Sequence, residues 1–376
     1  MKIVCGTLLT PLEEINGATV VIENRKIVSI TTSNYSSEQS DLIDAKQYYV
    51  VPGFIDPHTH IGIYRLEGEN TDHGFELTDP ITPHLDVVDG LDLYDPAFDE
   101  ALMAGITTVG VLPGSYMSFG SSVERITIMP GQGAIYKTNK RLLKESAFVK
   151  AALGEHPKRF LLEQKLPPTT RMGIVSQIRS ILMQTKRYMK SVDREFNPKL
   201  EALIPLLEKR IPLRVHAHTV RDILVAKRLA EEFDINIVLD HATEFYEVKE
   251  QMKDVPVVYG PIVFAQRGTE LRNLDVSNLS KMGDANFCLT TDHPTIPIQY
   301  LDLIAGLSMA EGFSMSKALA LITINAAKVL GVDERVGSVE IGKDADLVVL
   351  SGKPFEPDTK VVCTIVDGQV FWGNRR

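Results

Sequence analysis

Cysteine is scarce in this chain: Cys5, Cys288 and Cys363 are the three in 376 residues, and no two form a Cys-x-x-Cys pair. That excludes a disulfide framework and a thiolate metal site, and each cysteine reads as a small buried hydrophobe. Long apolar runs are missing too. No stretch approaches the roughly 20 residues that span a bilayer, and the N-terminus breaks into Pro11 and Glu13-Glu14 too early for a secretory core. A cytoplasmic protein without a membrane partner is expected. Positive charge is the third shortage: 40 Lys and Arg face 49 Asp and Glu, a formal net charge of -9. Such a balance argues against a nucleic-acid partner, and the short basic run 137–144 reads as solvated surface.

What is present is ordinary folded-protein composition, and enough chain for an α/β barrel of about 250 residues plus a small module. Both ends are strand-rich. Residues 2–9, 18–23 and 26–30 read as short strands around turns at Asn16-Gly17 and Asn24-Arg25, followed by a polar loop at 31–40. Residues 337–350 give a turn and a buried strand, and 361–370 a hairpin through Asp367-Gly368. Because chain ends commonly lie together, residues 1–50 and 331–376 are expected to form one composite β-sandwich. Between them, strand-like runs at 51–56, 107–112, 134–138, 149–154, 213–217, 236–240, 256–260 and 285–291 alternate with helical stretches. The helices fall at 96–104, 172–189, 197–209, 220–232, 300–311 and 314–330. Eight strands suit a closed parallel barrel, so residues 51–330 are expected to form a (β/α)8 TIM-like barrel in an α/β fold. Residues 125–133 could add a strand of their own.

Four histidines and an aspartate close these runs. His58 and His60 end Pro52-Gly-Phe-Ile-Asp-Pro-His-Thr-His60; His216 follows Leu213-Arg-Val; His241 ends Ile237-Val-Leu-Asp-His241; Asp292 ends Phe287-Cys-Leu-Thr-Thr-Asp292. Strand alternation puts His58 and His60 on one face, where two imidazoles can grip one cation. A βα barrel opens the C-terminal ends of its strands on one face, so ligands scattered in sequence converge. One buried histidine alone is usually a satisfied core residue. Several at strand ends match a catalytic metal, which needs nitrogen and oxygen ligands and an open position for water. His218 completes a second His-x-His; His216 is assigned to metal and His218, one step nearer the loop, to substrate. Asp240 is expected on the opposite face of its strand from His241. Asp292 suits a weak metal ligand and general base, against a plainer role as a helix cap before Pro294-Thr295. Glu244 and His293 adjoin these positions and are expected to contact substrate. Arg65, His73, Asp79, His84, the 112–115 turn, Gly131-Gln-Gly133 and Arg267 sit on loops that could reach the same pocket. Imidazole and carboxylate ligands suit zinc best and admit iron, manganese or cobalt.

With these residues in place, the chain resembles the amidohydrolase superfamily of metal-dependent hydrolases, in the branch of imidazolonepropionase and adenine deaminase. The segments that carry the resemblance are Pro52-Gly-Phe-Ile-Asp-Pro-His-Thr-His60, Ala104-Gly-Ile-Thr-Thr-Val109, Val215-His-Ala-His218, Thr291-Asp-His-Pro294, Ile324-Asn-Ala-Ala-Lys328 and Gly337-Ser-Val-Glu-Ile-Gly-Lys-Asp-Ala-Asp-Leu347. They span nearly the whole chain. The resemblance implies a metal-bearing barrel with a small β-sandwich, one or two divalent ions and a small-molecule substrate. It implies hydrolysis of a non-peptide C-N bond in a cyclic amide, amide or acyl-amino compound by metal-activated hydroxide. Asp292 would be the general base, with His218 and His241 in catalytic support. A deaminase of an amino-heterocycle, a dipeptidase, and a catalytically silent barrel used for binding or assembly are the alternatives. Two-metal members bridge their ions with a carbamylated lysine or a glutamate on a middle strand. Glu155, closing Val149-Lys-Ala-Ala-Leu-Gly-Glu155, is assigned as that bridge, against a plain helix N-terminal carboxylate. Lys137 is the second candidate and a one-metal site the third. Oligomeric state is open, a homo-oligomer included.

Overall fold

A computed structural model describes residues 1–10, 13–32, 42–64, 74, 76, 79–114, 116–119, 123–155, 168–264 and 268–373, with backbone alone for 116–119, 123–126 and 372–373. In chain order the strands are β1 (Lys2–Leu9), β2 (Glu14–Asn16), β3 (Thr19–Glu23), β4 (Lys26–Thr31), β5 (Leu42–Pro52), β6 (Phe54–Thr59), β7 (Ile106–Val111), β8 (Tyr116–Phe119) and β9 (Val123–Ile126). They continue as β10 (Gly131–Lys137), β11 (Leu142–Ala152), β12 (Leu213–Ala217), β13 (Ile237–His241), β14 (Val257–Tyr259), β15 (Phe287–Leu289), β16 (Leu347–Leu350), β17 (Val361–Val366) and β18 (Gln369–Gly373).

The two ends of the chain meet in one hydrogen-bonded sheet, ordered β18-β17-β16-β5-β1-β3-β4 with β2 on β1. At the level of strand pairing, the expected sandwich is thus one continuous eight-stranded sheet. Its joint is β16 against β5, with Leu347 opposite Pro52 and Leu350 opposite Tyr49. Period-two alternation explains its core. Ile3 and Cys5, Val20 and Ile22, Leu347 and Val349, and Cys363 and Ile365 turn to the same side and form one buried cluster.

A second eight-stranded sheet, ordered β15-β14-β13-β12-β11-β10-β7-β6, forms the barrel wall. Its first and last strands approach at a single bridge, Thr59 to His293. The expectation of a fully parallel barrel is corrected at one strand: β10 runs antiparallel to both β7 and β11. The reason is length. Only residues 138–141 separate β10 from β11, with Lys140 in the left-handed region at φ 71, whereas a parallel crossover needs a dozen residues or more. Helices Ala97–Met103, Arg171–Lys190, Val220–Phe233 and Leu301–Ala310 bury their apolar stripes as part of the main core. The helical stretches expected at 197–209 and 314–330 are each divided, into Pro198–Glu201 with Ile204–Leu207 and Met315–Leu321 with Ile324–Leu330. Thr323 leaves helical geometry at φ -133, ψ -98 and makes the second break. Below it, Ala326 and Leu330 cluster with Ile55, Val238, Val258 and Cys288.

Reversal of β10 sends its last residue, Lys137, to the N-terminal end of the neighbouring strands, against the terminal sheet. There its buried ammonium lies 2.6 Å from Asp346, 2.9 Å from Asp344 and 3.1 Å from Asp367. Arg141 adds a two-pronged pair to Asp367, with both contacts at 2.7 Å. Lys137 is therefore a tie between barrel and sheet, which removes it as a candidate metal bridge. Burial alone would lower the Lys137 pKa and raise those of Asp344 and Asp367. The mutual pairing outweighs it, so the lysine is held above its ordinary range and these two aspartates below theirs.

Removing a single partner from a buried ion cluster leaves uncompensated charge, so Lys137→Met is expected to lose about 3–5 kcal/mol of stability at pH 7. Depressed carboxyls contribute stability that is present above their unfolded pKa of about 4 and lost as pH falls. The gap between wild type and variant should therefore narrow in acid. Urea unfolding at neutral pH and again below pH 4 checks both points; a gap that stays constant contradicts the electrostatic origin.

Candidate metal centre

Strand ends on the far face of the barrel bring the histidine array together. Ligand atoms of His58, His241 and Asp292 all lie within 4.8 Å of one another. Asp292 Oδ1 is 3.3 Å from His58 Nε2 and 3.5 Å from His60 Nε2. Ring centroids of His58 and His241 are 4.9 Å apart, and His216 lies 4.6 Å from His241. His218 stacks on His241 at 5.1 Å and 18°. Local backbone makes this convergence. His241 and Asp292 adopt left-handed conformations, φ 70 and φ 54, at the ends of extended runs. Side chains in that region are rare and cluster at functional positions.

The turn at His241 also corrects the placement of Asp240. Alternation predicted that Asp240 would face away from the site; because the backbone leaves the strand at His241, both side chains enter the barrel. Asp240, fully buried, lies 3.2 Å from His58 Nδ1, 2.5 Å from Arg214 Nη2 and 2.5 Å from Lys150 Nζ. Arg214 and Lys150 hold its carboxyl well below the usual range against the opposing effect of burial. Burial and the neighbouring Lys150 in turn push the His58 pKa well down, and burial lowers that of His241.

Partner chemistry settles which ring nitrogens carry protons. His58 Nδ1 faces the Asp240 carboxylate, His60 Nδ1 lies 2.7 Å from the Leu112 carbonyl, and His241 Nδ1 lies 2.7 Å from the Gly260 carbonyl. These oxygens only accept, so Nδ1 of His60 and of His241 donates and the lone pair stays on Nε2; at His58 the carboxylate at 3.2 Å is nearer than the Arg214 guanidinium at 3.5 Å and favours the same tautomer. His58 and His60 thus aim two lone pairs at Asp292 Oδ1, itself a buried acceptor without a hydrogen-bond partner. The carboxyl is held below its normal range, burial being outweighed by His241, His60 and His58. Three acceptors converging without a donor suit a cation, and neutral imidazoles backed by carboxylate or carbonyl acceptors are what a divalent metal requires.

The remaining expected site residues divide. His218 Nδ1 pairs with Thr243 Oγ1 at 2.8 Å. His293 is buried beside the seam: its Nδ1 accepts from the Ile298 amide at 3.1 Å, its carbonyl accepts from the His60 amide at 2.8 Å, and burial lowers its pKa to about 4. Glu244 uses one oxygen to accept from the Val220 amide and the other from Asn273 Nδ2, at 2.8 and 2.7 Å. It ties the start of helix Val220–Phe233 to the loop after β14. Glu155 lies 3.7 Å from Arg171 Nη2, and its amide donates to Glu270 at 2.5 Å; it is not among the three groups whose ligand atoms lie within 4.8 Å. Asp79 pairs with Lys199. Arg65, His73, Ser115, His156 and Arg267 lie outside the described residues.

Sequence reasoning missed Lys150, Arg214 and Asp56. The signal was a charge inside an apolar strand, at the parity of a ligand: Arg214 is two before His216, and Asp56 two before His58.

Fold and side chains together define a barrel protein with a group of side chains at the strand C-termini that could hold a cation. Residues 209–371 match the model of the Amidohydrolase family. The structure superposes on a crystal structure of an amidohydrolase from Thermotoga maritima MSB8 with a TM-score of 0.92 and 34% identity, covering 99% of this chain and 100% of that one. The chain belongs to the amidohydrolase family. It is 24% identical over 395 residues to an imidazolonepropionase of Geobacillus sp. (strain WCH70), covering 91% of this chain and 85% of that protein. It is also 24% identical over 384 residues to amidohydrolase tasK of Hapsidospora irregularis; 93% of this chain matches 39% of that longer protein.

One glycine, next to Glu155, is required by its backbone conformation. Gly154 has φ 94, and a Cβ there would lie 2.2 Å from Glu270 Oε1. Gly154→Ala is expected to cost about 1–3 kcal/mol and to displace the Glu155 segment. Thermal unfolding tests the cost; a variant as stable as wild type contradicts the packing around Glu270.

Proposed function

We propose that this chain is a metal-dependent hydrolase of a non-peptide C-N bond, acting on a cyclic amide, an amide or an acylated amino compound. The observation that carries the reading is the convergence of the His58 and His60 Nε2 lone pairs on the buried Oδ1 of Asp292. His58, His60, His216, His241 and Asp292 would hold the cation, with zinc the metal their chemistry suits best. When bound, a divalent ion supplies Lewis acidity, polarising a substrate carbonyl and making water acidic enough to react near neutral pH. The protein's own groups carry the protons. Asp292, ionised and adjacent to both first-strand histidines, takes a proton from the attacking water. As the C-N bond breaks, it returns that proton to the leaving nitrogen. His218, stacked on His241 and held by Thr243, is the group assigned to substrate, with the buried His293 bracing His60 behind it. Glu244 supports the loops that frame it.

A second ion would need a bridging anion. Glu155 remains the candidate, and the lysine alternative passes from Lys137 to Lys150. Lys150 lies inside the barrel beside Asp240, and burial lowers its pKa, favouring the neutral amine that carbamylation requires.

Similarity to an imidazolonepropionase supports the C-N hydrolase reading and leaves the substrate to experiment. A screen of metal-loaded protein against lactams, hydantoins, N-acyl amino acids, dipeptides and amino-heterocycles decides the class. Ammonia released from the last group would favour a deaminase, and dipeptide turnover a dipeptidase. Absence of stoichiometric metal in the wild-type chain would leave a silent barrel. On the substrate so found, Asp292→Asn is expected to lose roughly 10²–10⁴-fold in kcat per metal-loaded chain; full turnover at unchanged metal content removes Asp292 as the base. Glu155→Ala should lower the metal-to-chain ratio measured by elemental analysis, and an unchanged ratio of two would place the bridge elsewhere.

A further inference from the structure

The barrel closes weakly by backbone alone. Between β6 and β15 there is one bridge, Thr59 to His293, where the other junctions carry ladders of three or more residue pairs. This seam also divides the cation site, with His58 and His60 on one side and Asp292 on the other. Across it reaches Asp56, a carboxylate with no solvent exposure. Its Oδ1 accepts from the Thr290 hydroxyl at 2.5 Å, a hydroxyl that also lies 2.8 Å from the His58 carbonyl across the seam, and from the His58 amide at 3.3 Å. Its Oδ2 accepts from the Thr291 hydroxyl at 2.5 Å and the Thr291 amide at 3.2 Å. The two threonines pass the constraint on: Thr290 Oγ1 accepts from the Asp292 amide at 3.2 Å, and Thr291 Oγ1 from the His293 amide at 3.1 Å.

Asp56 therefore holds the backbone of His58 with one oxygen and, through one hydroxyl, the backbone of Asp292. No other described side chain bonds to both threonine hydroxyls. We infer that Asp56 is a positioning residue that sets the separation of His58 and Asp292 across the seam, and with it the affinity of the site for its cation. The inference rests on the reading of these residues as a cation site. The plainer role, a staple that only closes the barrel, would show in stability and not in metal affinity.

The two roles separate when zinc binding, measured by competition with a chelator, is compared with thermal unfolding. Four proteins serve: wild type, Asp56→Asn, Thr290→Val and Val20→Ala. Asp56→Asn keeps the volume and loses acceptors, and carries the test; Thr290→Val keeps the shape and loses the hydroxyl with its contacts to both Asp56 and the His58 carbonyl, so it reports on the seam as a whole. Val20→Ala makes a cavity in the terminal sheet, far from the site. Groups that orient metal ligands typically change affinity 10–100-fold. Asp56→Asn and Thr290→Val are expected to weaken zinc binding by about that factor, while Val20→Ala lowers the melting temperature and leaves zinc affinity unchanged. Folded Asp56→Asn or Thr290→Val chains that bind zinc as tightly as wild type overturn the inference and leave the cation site standing. Equal weakening by Val20→Ala overturns it as well, by tracing the effect to stability. A wild-type chain that binds no zinc, manganese or cobalt sinks the cation-site reading and this inference with it.

Discussion

The chemistry of this barrel hangs on one buried carboxylate. Asp240 has no access to water and holds a guanidinium, an ammonium and an imidazole, from Arg214, Lys150 and His58. An isolated charge at that depth would be strongly unfavourable, so the pairing must be near complete. It is satisfied from three strands, β6, β11 and β12, around a fourth, β13. The same contacts fix the proton of His58 on Nδ1 and leave Nε2 to the site. Packing is adapted to it: Arg214 lies over the ring of Phe148 at 5.0 Å, and Gly133 leaves the room that ring occupies, since a Cβ there would be 2.0 Å from it.

A second ionic cluster sits at the opposite end of the barrel and does a different job. Lys137 with Asp344, Asp346 and Asp367 binds the barrel to the terminal sheet, so residues from both ends of the fold share one buried charge. Two lysines of the middle strands thus have opposite fates. Lys150 on β11 points toward the chemistry and Lys137 on β10 toward the joint, because the two strands run in opposite directions. A hairpin where a parallel connection was expected is enough to exchange the ends of the barrel that their residues reach.

Much of the candidate site was legible beforehand. His58, His60, His216, His241 and Asp292 each close an apolar run, and the structure brings ligand atoms of His58, His241 and Asp292 within 4.8 Å of one another, with His60 and His216 beside them. The joining of the two chain ends was legible from strand patterns. Less was legible where backbone departs from regular geometry. Asp240 was placed on the wrong face because alternation assumes an extended chain through His241, which instead turns left-handed. Glu244 was expected at the substrate, whereas both its oxygens are taken by Val220 and Asn273, partners that only the packed loops supply.

By itself, then, the sequence determined what repeats locally. Periods of two and of about 3.6 residues place strands and helices, and residue chemistry at strand ends names the donor set, because both depend only on neighbouring positions. Tertiary structure alone decided direction and closure: which way β10 runs, which lysine enters the barrel, and how Asp56 joins the two sides of the seam. Those depend on contacts between residues as distant as Asp56 and Thr290, 234 positions apart, and such contacts exist only once the sheet has curved round on itself.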